Sequence, residues 1–127
     1  MQIAAFPLPF ANAPYSRALF DDEWVFVSGT IGMDYDAQRL AGTAQEQTRL
    51  MLHNIATYLA ACGARLEQVV NYTLIVSERQ HFAAVVDTLA ELLPCKPTGT
   101  AMIAGIALPE AFVEMQVIAR KSVKVPA

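Results

Sequence analysis

Hydrophobic and polar positions divide this chain into seven periodic stretches, separated by polar or Gly/Pro-rich breaks. Ala18-Leu19-Phe20 and Trp24-Val25-Phe26-Val27-Ser28-Gly29 flank the acidic turn Asp21-Asp22-Glu23 and read as a hairpin. The second of these strands is apolar on both faces, the pattern of a strand buried from both sides. A polar loop from Asp34 to Gly42 leads into Thr43-Ala44-Gln45-Glu46, a capping box that opens a helix. The helix stripe is Leu52, Ile55, Leu59 and Cys62, widened by Met51 and Tyr58 as core residues, and Gly63 supplies the left-handed end. Val69 to Val76, rich in β-branched residues, is the next strand. Ser77-Glu78-Arg79-Gln80 repeats the capping-box pattern before a second helix. That helix carries Phe82, Val85, Leu89 and Leu92 or Leu93 on one stripe and stops at Pro94. Pro97 opens a strand from Thr98 to Ile106, and after a turn near Pro109 and Glu110 a last strand runs from Phe112 to Ala119.

The resulting order, ββαβαββ, defines an α+β domain in which two helices cover one face of a sheet. The strands are nevertheless apolar on both faces, so the second face requires a cover of its own. Another copy of the chain provides one, in a homo-oligomer built on sheet faces, or the long N-terminal arm does. Hydrophobic residues make up 54% of the chain and charged ones 17%, against about a quarter charged in an ordinary soluble domain. That imbalance fits a surface hidden against other copies. At 127 residues the chain can bury a core without metal or disulfide staples, and residues 1–127 are expected to form a single domain.

Charge removes several functions. The net charge is -3 and the nine Lys and Arg are scattered, with only Arg120, Lys121 and Lys124 close together. A nucleic-acid footprint needs clustered positive charge, so no nucleic-acid partner is expected. Pro97 to Pro109, an uncharged interior run, is too short to span a bilayer, and no membrane partner is expected. Met1 to Ser16 is also uncharged and ends in Ala11-Asn12-Ala13, but it lacks a positive n-region and is interrupted by Pro7 and Pro9, so a cytoplasmic location is expected. Cys62, Cys95, His53 and His81 stand apart at no metal or redox spacing, and no phosphate loop or dinucleotide fingerprint occurs.

What remains is one acid. Alternation in the last strand puts Val113, Met115 and Val117 on one side and Phe112, Glu114, Gln116 and Ile118 on the other. Glu114 therefore sits in an otherwise apolar run. It is either a working carboxylate in a partly dry cleft, with a raised pKa that suits it to take a proton from water, or a structural acid bonded to a neighbouring strand or to Thr100. Ser28-Gly29 offers a bare backbone that allows close approach by a ligand or another chain, or is simply a strand-end turn.

Several blocks, in order, resemble the YjgF-type or Rid family, the reactive intermediate deaminases also called endoribonuclease L-PSP proteins. They are Ala13-Pro14-Tyr15-Ser16, Val25 to Ile31, Gln45-Glu46-Gln47-Thr48-Arg49 with Asn54-Ile55, Ala61-Cys62-Gly63-Ala64, and Leu108-Pro109 followed by Val113-Glu114 and Ile118-Ala119. The resemblance implies a chorismate-mutase-like fold, a homotrimer with intersubunit clefts, and hydrolysis of enamines and imines such as 2-aminoacrylate without metal or organic cofactor. It puts the water-positioning acid on Glu114, a cleft-lining Tyr on Tyr15, the strand-end backbone site on Ser28 and Gly29, and a carboxylate-clamping Arg at the position of Gly99.

Gly99 is the main departure, and Val86 at a position commonly Asn is a smaller one. A guanidinium fork makes two charge-assisted hydrogen bonds. Its loss weakens a small carboxylate substrate by on the order of 3 kcal/mol, about two orders of magnitude in affinity. Thr100 and the Gly99 to Ala101 backbone then offer neutral donors. Arg17 is a substitute cation if its side chain reaches the cleft; the bland reading leaves it solvated or ion-paired. The expected function is a Rid-like hydrolase or deaminase acting through Glu114 on a small imine, enamine or related unsaturated metabolite other than 2-aminoacrylate. The alternative is a non-catalytic trimer that binds a metabolite or stabilises a partner. By this reasoning Gly99→Arg restores the clamp.

Overall fold

The last strand organises the sheet. In the computed structural model, which describes residues 1–9 and 11–126, strand β8 (Val113–Arg120) lies between β3 (Trp24–Ile31) and β6 (Val69–Val76), antiparallel to both. Every second residue of β8, namely Val113, Met115, Val117 and Ala119, is at most 2% exposed. Each large apolar side chain buried this way contributes about 1.5–3 kcal/mol. The period of two then leaves Glu114, Gln116, Ile118 and Arg120 no choice but the opposite face.

Around this centre the sheet runs β1-β2-β3-β8-β6-β7, with β1 (Gln2–Ile3), β2 (Ala18–Phe20) and β7 (Thr98–Ile103) as the remaining members. Only the β6–β7 pair is parallel, reached through the crossover helix α2 (Phe82–Leu92). The α+β architecture, with two helices on one face of a mixed sheet, is as the pattern predicted. The β2–β3 hairpin pairs Ala18 with Val27 and Phe20 with Val25. The Asp21 carboxylate closes its turn by accepting from the Glu23 and Trp24 N–H groups at 2.8 and 2.7 Å.

Helix α1 (Ala44–Ala61) crosses β3 and β8 and packs against α2. The Thr43 hydroxyl accepts from the Glu46 N–H at 3.1 Å, and Gly63 takes the left-handed conformation, φ +81°, at the other end. Met51, Leu52, Ile55, Tyr58, Leu59 and Cys62 are buried, as the stripe required.

Some expectations need correction. The Ser77 capping box does not form: the Ser77 N–H goes to the Phe112 carbonyl, and Gln80 takes the Glu78 carboxylate. A single 3-10 turn at Arg79–His81 starts α2 instead, with no side-chain cap. Val85 and Leu89 of the α2 stripe are buried, but Phe82 is 36% exposed. Strand β7 ends at Ile103 and not at Ile106, because its partner β6 ends at Val76, the residue opposite Ile103, and a strand cannot outrun its ladder. The polar loop after β3 contains a small hairpin, β4 (Met33–Asp34) with β5 (Arg39–Leu40), too short to show periodicity.

The face away from the helices stays open. Leu19, Phe26 and Met102 on it are 37%, 40% and 41% exposed. The described residues of the N-terminal arm leave Leu19, Phe26 and Met102 exposed: the arm pairs with the edge of β2, buries Ala4, and sets Phe6 edge-on against Tyr58 of α1 at 4.7 Å.

Gln47 ties the frame together. Only 1% exposed, it donates to the Ala41 carbonyl and accepts from the Phe112 N–H at 2.8 Å, so the first turn of α1 fixes the entry to β8. Gly32 lets that turn come close, since a Cβ there would lie 2.1 Å from the Gln47 carbonyl oxygen and 2.5 Å from its Cα. Because backbone cannot yield as a side chain can, Gly32→Ala is expected to cost at least about 2 kcal/mol, read as a lowered urea midpoint.

Candidate functional site

The site begins as a fault in a ladder. β3 pairs regularly with β8 from Trp24 to Val27, then slips before resuming at Thr30 with Met115 and Ile31 with Glu114. Ser28 and Gly29 form the bulge. Local bonds satisfy it: the Ser28 hydroxyl donates to the Ser16 carbonyl at 2.6 Å, the Ser28 N–H to the Arg17 carbonyl at 3.0 Å, and the Thr30 hydroxyl to the Ser28 carbonyl at 2.9 Å. The Gly29 carbonyl accepts from Arg17 Nη1 at 2.7 Å.

Glu114 rests against this bulge. A Cβ on Gly29 would lie 2.8 Å from Glu114 Oε1 and 3.0 Å from Cδ, so the missing side chain is what seats the carboxylate. Among the described residues no hydrogen bond or ion pair holds the Glu114 carboxylate. The structural acid bonded to a neighbouring strand or to Thr100 is therefore not what the fold contains. Burial pushes its pKa above the ordinary carboxylate value, and the nearby Arg17 charge partly opposes the rise.

Arg17 is neither solvated nor ion-paired among the described residues. It is 4% exposed, its guanidinium lies 5.7 Å from the Tyr15 ring centre and 5.4 Å from that of Tyr58, and its Nε is buried without a hydrogen-bond partner. Tyr15 closes the cluster toward solvent at 37% exposure. On the other side the Tyr58 hydroxyl is pushed up to about 12, first by burial and then by Tyr35 beside it. Tyr58 was legible only as a core residue, because its stripe position says that it points inward and not what it touches.

The second group of expected site residues lies elsewhere. Glu114 pairs with Ile75 and Ile75 with Met102, so β7 stands two strand spacings, roughly 10 Å, from Glu114. Thr100 shares the open face with Glu114. Gly99 and Ala101 point to the helix side, where Ala101 lines a groove of about 500 Å³ with Arg79, Phe82, Met102 and Ile103. Val86 of α2 is 38% exposed. The structure thus brings Glu114, Gly29, Ser28, Arg17 and Tyr15 together and leaves Gly99, Thr100 and Ala101 on an edge strand.

Gly99 is also not an empty position. Its register partner is Tyr72, whose ring lies over it: a Cβ at Gly99 would stand 2.4 Å from Cζ. Nothing in the sequence flags Tyr72 until β6 and β7 are known to pair in this register. An arginine at Gly99 must first displace that ring, so the single substitution does not simply restore a clamp. Cys95 is no nucleophile in waiting. Its thiol donates to the Leu66 carbonyl at 3.3 Å, and burial followed by Glu67 raises its pKa. No cluster of three His, Cys, Asp or Glu able to hold a metal occurs among the described residues, and no helix among them is long and apolar enough to cross a membrane.

A half-buried carboxylate of raised pKa, seated on bare backbone at a strand bulge, is an arrangement chemically capable of general acid-base work. The endoribonuclease L-PSP family model matches residues 7–121. The mitochondrial protein mmf2 of Schizosaccharomyces pombe is 34% identical over 95 residues, 74% of this chain and 75% of that protein. The 2-iminobutanoate/2-iminopropanoate deaminase of Capra hircus is 32% identical over 113 residues, 87% of this chain and 82% of that one. The crystal structure of RidA from an Antarctic Psychrobacter superposes with a TM-score of 0.78 at 25% identity, covering 88% of this chain and 92% of that one. This chain belongs to the endoribonuclease L-PSP family, also called YjgF or Rid.

Two outcomes follow from this geometry. In a double-mutant cycle on urea midpoints, Gly99→Ala should cost about 1 kcal/mol with Tyr72 present and much less with Tyr72→Ala, because only the ring resists the new Cβ. For Glu114, the folded state binds its proton more tightly than the unfolded chain does. Its contribution to stability is therefore full below the ordinary carboxylate value and is lost as pH rises through the raised one. Glu114→Gln, neutral throughout, should gain stability relative to wild type as pH rises above the ordinary carboxylate range, seen as urea midpoints that diverge with increasing pH.

Proposed function

We propose that this protein is a Rid-type hydrolase that deaminates a small imine, enamine or related unsaturated metabolite of a dedicated pathway, other than 2-aminoacrylate, in the clefts of a homotrimer. The observation that carries this reading is the Glu114 carboxylate, half-buried, raised in pKa and held by no hydrogen bond or ion pair among the described residues. A structural acid would be bonded; this one is kept available.

The chemistry is short. As water attacks the imine carbon, Glu114 takes one of its protons and the C–O bond forms while the C=N π electrons move to nitrogen. The resulting carbinolamine collapses to the carbonyl product. Glu114 hands the first proton to the nitrogen to complete the carbinolamine, then takes the hydroxyl proton and passes it to the departing nitrogen as the C–N bond breaks, so imine and water give carbonyl and ammonia. A raised pKa brings the acid closer to the working pH, which favours both halves of that exchange. The name of the goat relative specifies imino acids for that protein. Here position 99 carries no arginine, and Arg17 lies 4% exposed behind Tyr15, which supports a substrate recognised through neutral contacts.

Trimerisation supplies the missing cover. Leu19, Phe26 and Met102 form an apolar face that neither helix nor N-terminal arm reaches, and burying it returns about 25 cal/mol for each Å² removed from water. A cytoplasmic setting belongs to this reading, although the fission-yeast relative is described as mitochondrial. The second reading, a non-catalytic trimer that binds a metabolite or stabilises a partner, draws on the ring-covered Gly99.

A steady-state assay over a panel of neutral and carboxylated imines separates the two. Wild type is expected to turn over neutral or larger imines, with 2-aminoacrylate at least about a hundredfold poorer, and Glu114→Gln should lower kcat by about two to four orders of magnitude. Equal inactivity of both proteins across the panel would leave the binding module as the reading that stands.

A further inference from the structure

Arg17 poses a problem that the hydrolytic reading does not solve. A guanidinium that is 4% exposed, with Nε left unbonded and no carboxylate within ion-pair distance among the described residues, is expensive to fold. An apolar residue of similar size would pack there at lower cost. The position therefore calls for what only a cation with a directed N–H can do.

Its contacts say what that is. Nη1 donates to the carbonyl of Gly29, the residue whose bare backbone seats Glu114. The cation is held in place by the faces of Tyr15 and Tyr58, which attract it without neutralising it. The strand neighbours of Glu114 are Ile31 on β3 and Ile75 on β6, and neither carries charge. Among the described residues Arg17, brought in from the segment before β2, is the one charged group that acts on the carboxylate.

We infer that Arg17 is the positioning residue of the Glu114 site: it pins the Gly29 carbonyl so that the β3 bulge holds its Cβ-free seat, and its buried charge acts through that seat to keep the carboxylate in its ionised, proton-accepting form. It is not a substrate clamp, since its donor bond among the described residues is internal and its side chain is covered. The arrangement divides two tasks between two distances. Burial makes Glu114 basic enough to accept a proton, and a cation that never touches it keeps burial from leaving it protonated at rest. A direct Arg–Glu bond would undo this by occupying the oxygens that water must reach.

The catalytic consequence rests on the hydrolase reading; the geometric one does not, and the test keeps them apart. The Glu114 side-chain carboxyl carbon is titrated by 13C NMR in wild type, Arg17→Gln and Arg17→Lys. Gln can still donate to Gly29 but carries no charge, and Lys keeps the charge without the planar fork. The ionisation midpoint should rise by about half a pH unit or more in Arg17→Gln, about threefold in the ionisation constant, and return most of the way in Arg17→Lys. In wild type, with no substitution at all, the Arg17 side-chain 15N resonances should shift with the same midpoint as Glu114. If turnover exists, the acid limb of its pH profile should move with the NMR midpoint in each variant. An unmoved midpoint in Arg17→Gln, or Arg17 resonances that ignore the Glu114 titration, would overturn the inference. Loss of the hydrolase reading alone would leave the titration result standing.

Discussion

Everything in this fold hangs on the alternation of β8. Val113, Met115, Val117 and Ala119 are pressed into the core under α1, and that commitment exports Glu114, Gln116 and Ile118 to the other face, where no helix lies. A one-residue slip would bury Glu114 and expose Met115, so the core locks the register that displays the acid. The core thus specifies the site without any of its residues touching it. Gln47 reinforces the arrangement by gripping the entry to β8 from the first turn of α1.

The second constraint is the bulge. A regular ladder from Val27 onward would set a side chain against Glu114. Slipping by one residue puts Gly29 there instead and frees a carbonyl that Arg17 takes. Two features that look costly in isolation, an interrupted ladder and a buried unpaired cation, are therefore one device. Each would be poor design alone, and together they give a carboxylate that is partly dry, partly charged-compensated and unbonded.

Most of the frame was legible in the sequence because it rests on periodicity, which survives without tertiary information. β6 was read to the residue, and α1 ended where Gly63 said it would. Failures came where a second segment decides. Ser77 was a reasonable cap until Phe112 claimed its N–H, and β7 was overextended because nothing in its own residues records where β6 stops. The site was half legible in the same sense. Glu114 and Gly29 could be picked out one by one, as an acid in an apolar strand and a glycine at a strand end. Their contact could not, since it depends on the slip in the ladder between them. Arg17 is misleading for a related reason: an arginine four residues before an acidic turn looks solvated, and Tyr58, contributed by a helix some forty residues on, shows otherwise.

The two glycines make the final point. Both are small residues at strand positions where a Cβ would collide with a side chain, but the colliding groups differ in kind. At Gly29 the neighbour is a carboxylate, so the space serves a charge that must stay reachable. At Gly99 the neighbour is the Tyr72 ring, which fills the space itself, as an aromatic cross-strand partner commonly covers a glycine in a sheet. Read singly, Gly99 is a loss. Read with Tyr72 it is a replacement, in which a flat apolar surface with a hydroxyl at its far end occupies the edge strand where the Rid resemblance would put a cation. That surface lies on the helix side of the sheet, since Tyr72 is in register with the buried Val117, and so on the face opposite Glu114. Gly29 thus bears on how Glu114 is seated, while Tyr72 and Gly99 bear on how the sheet edge packs.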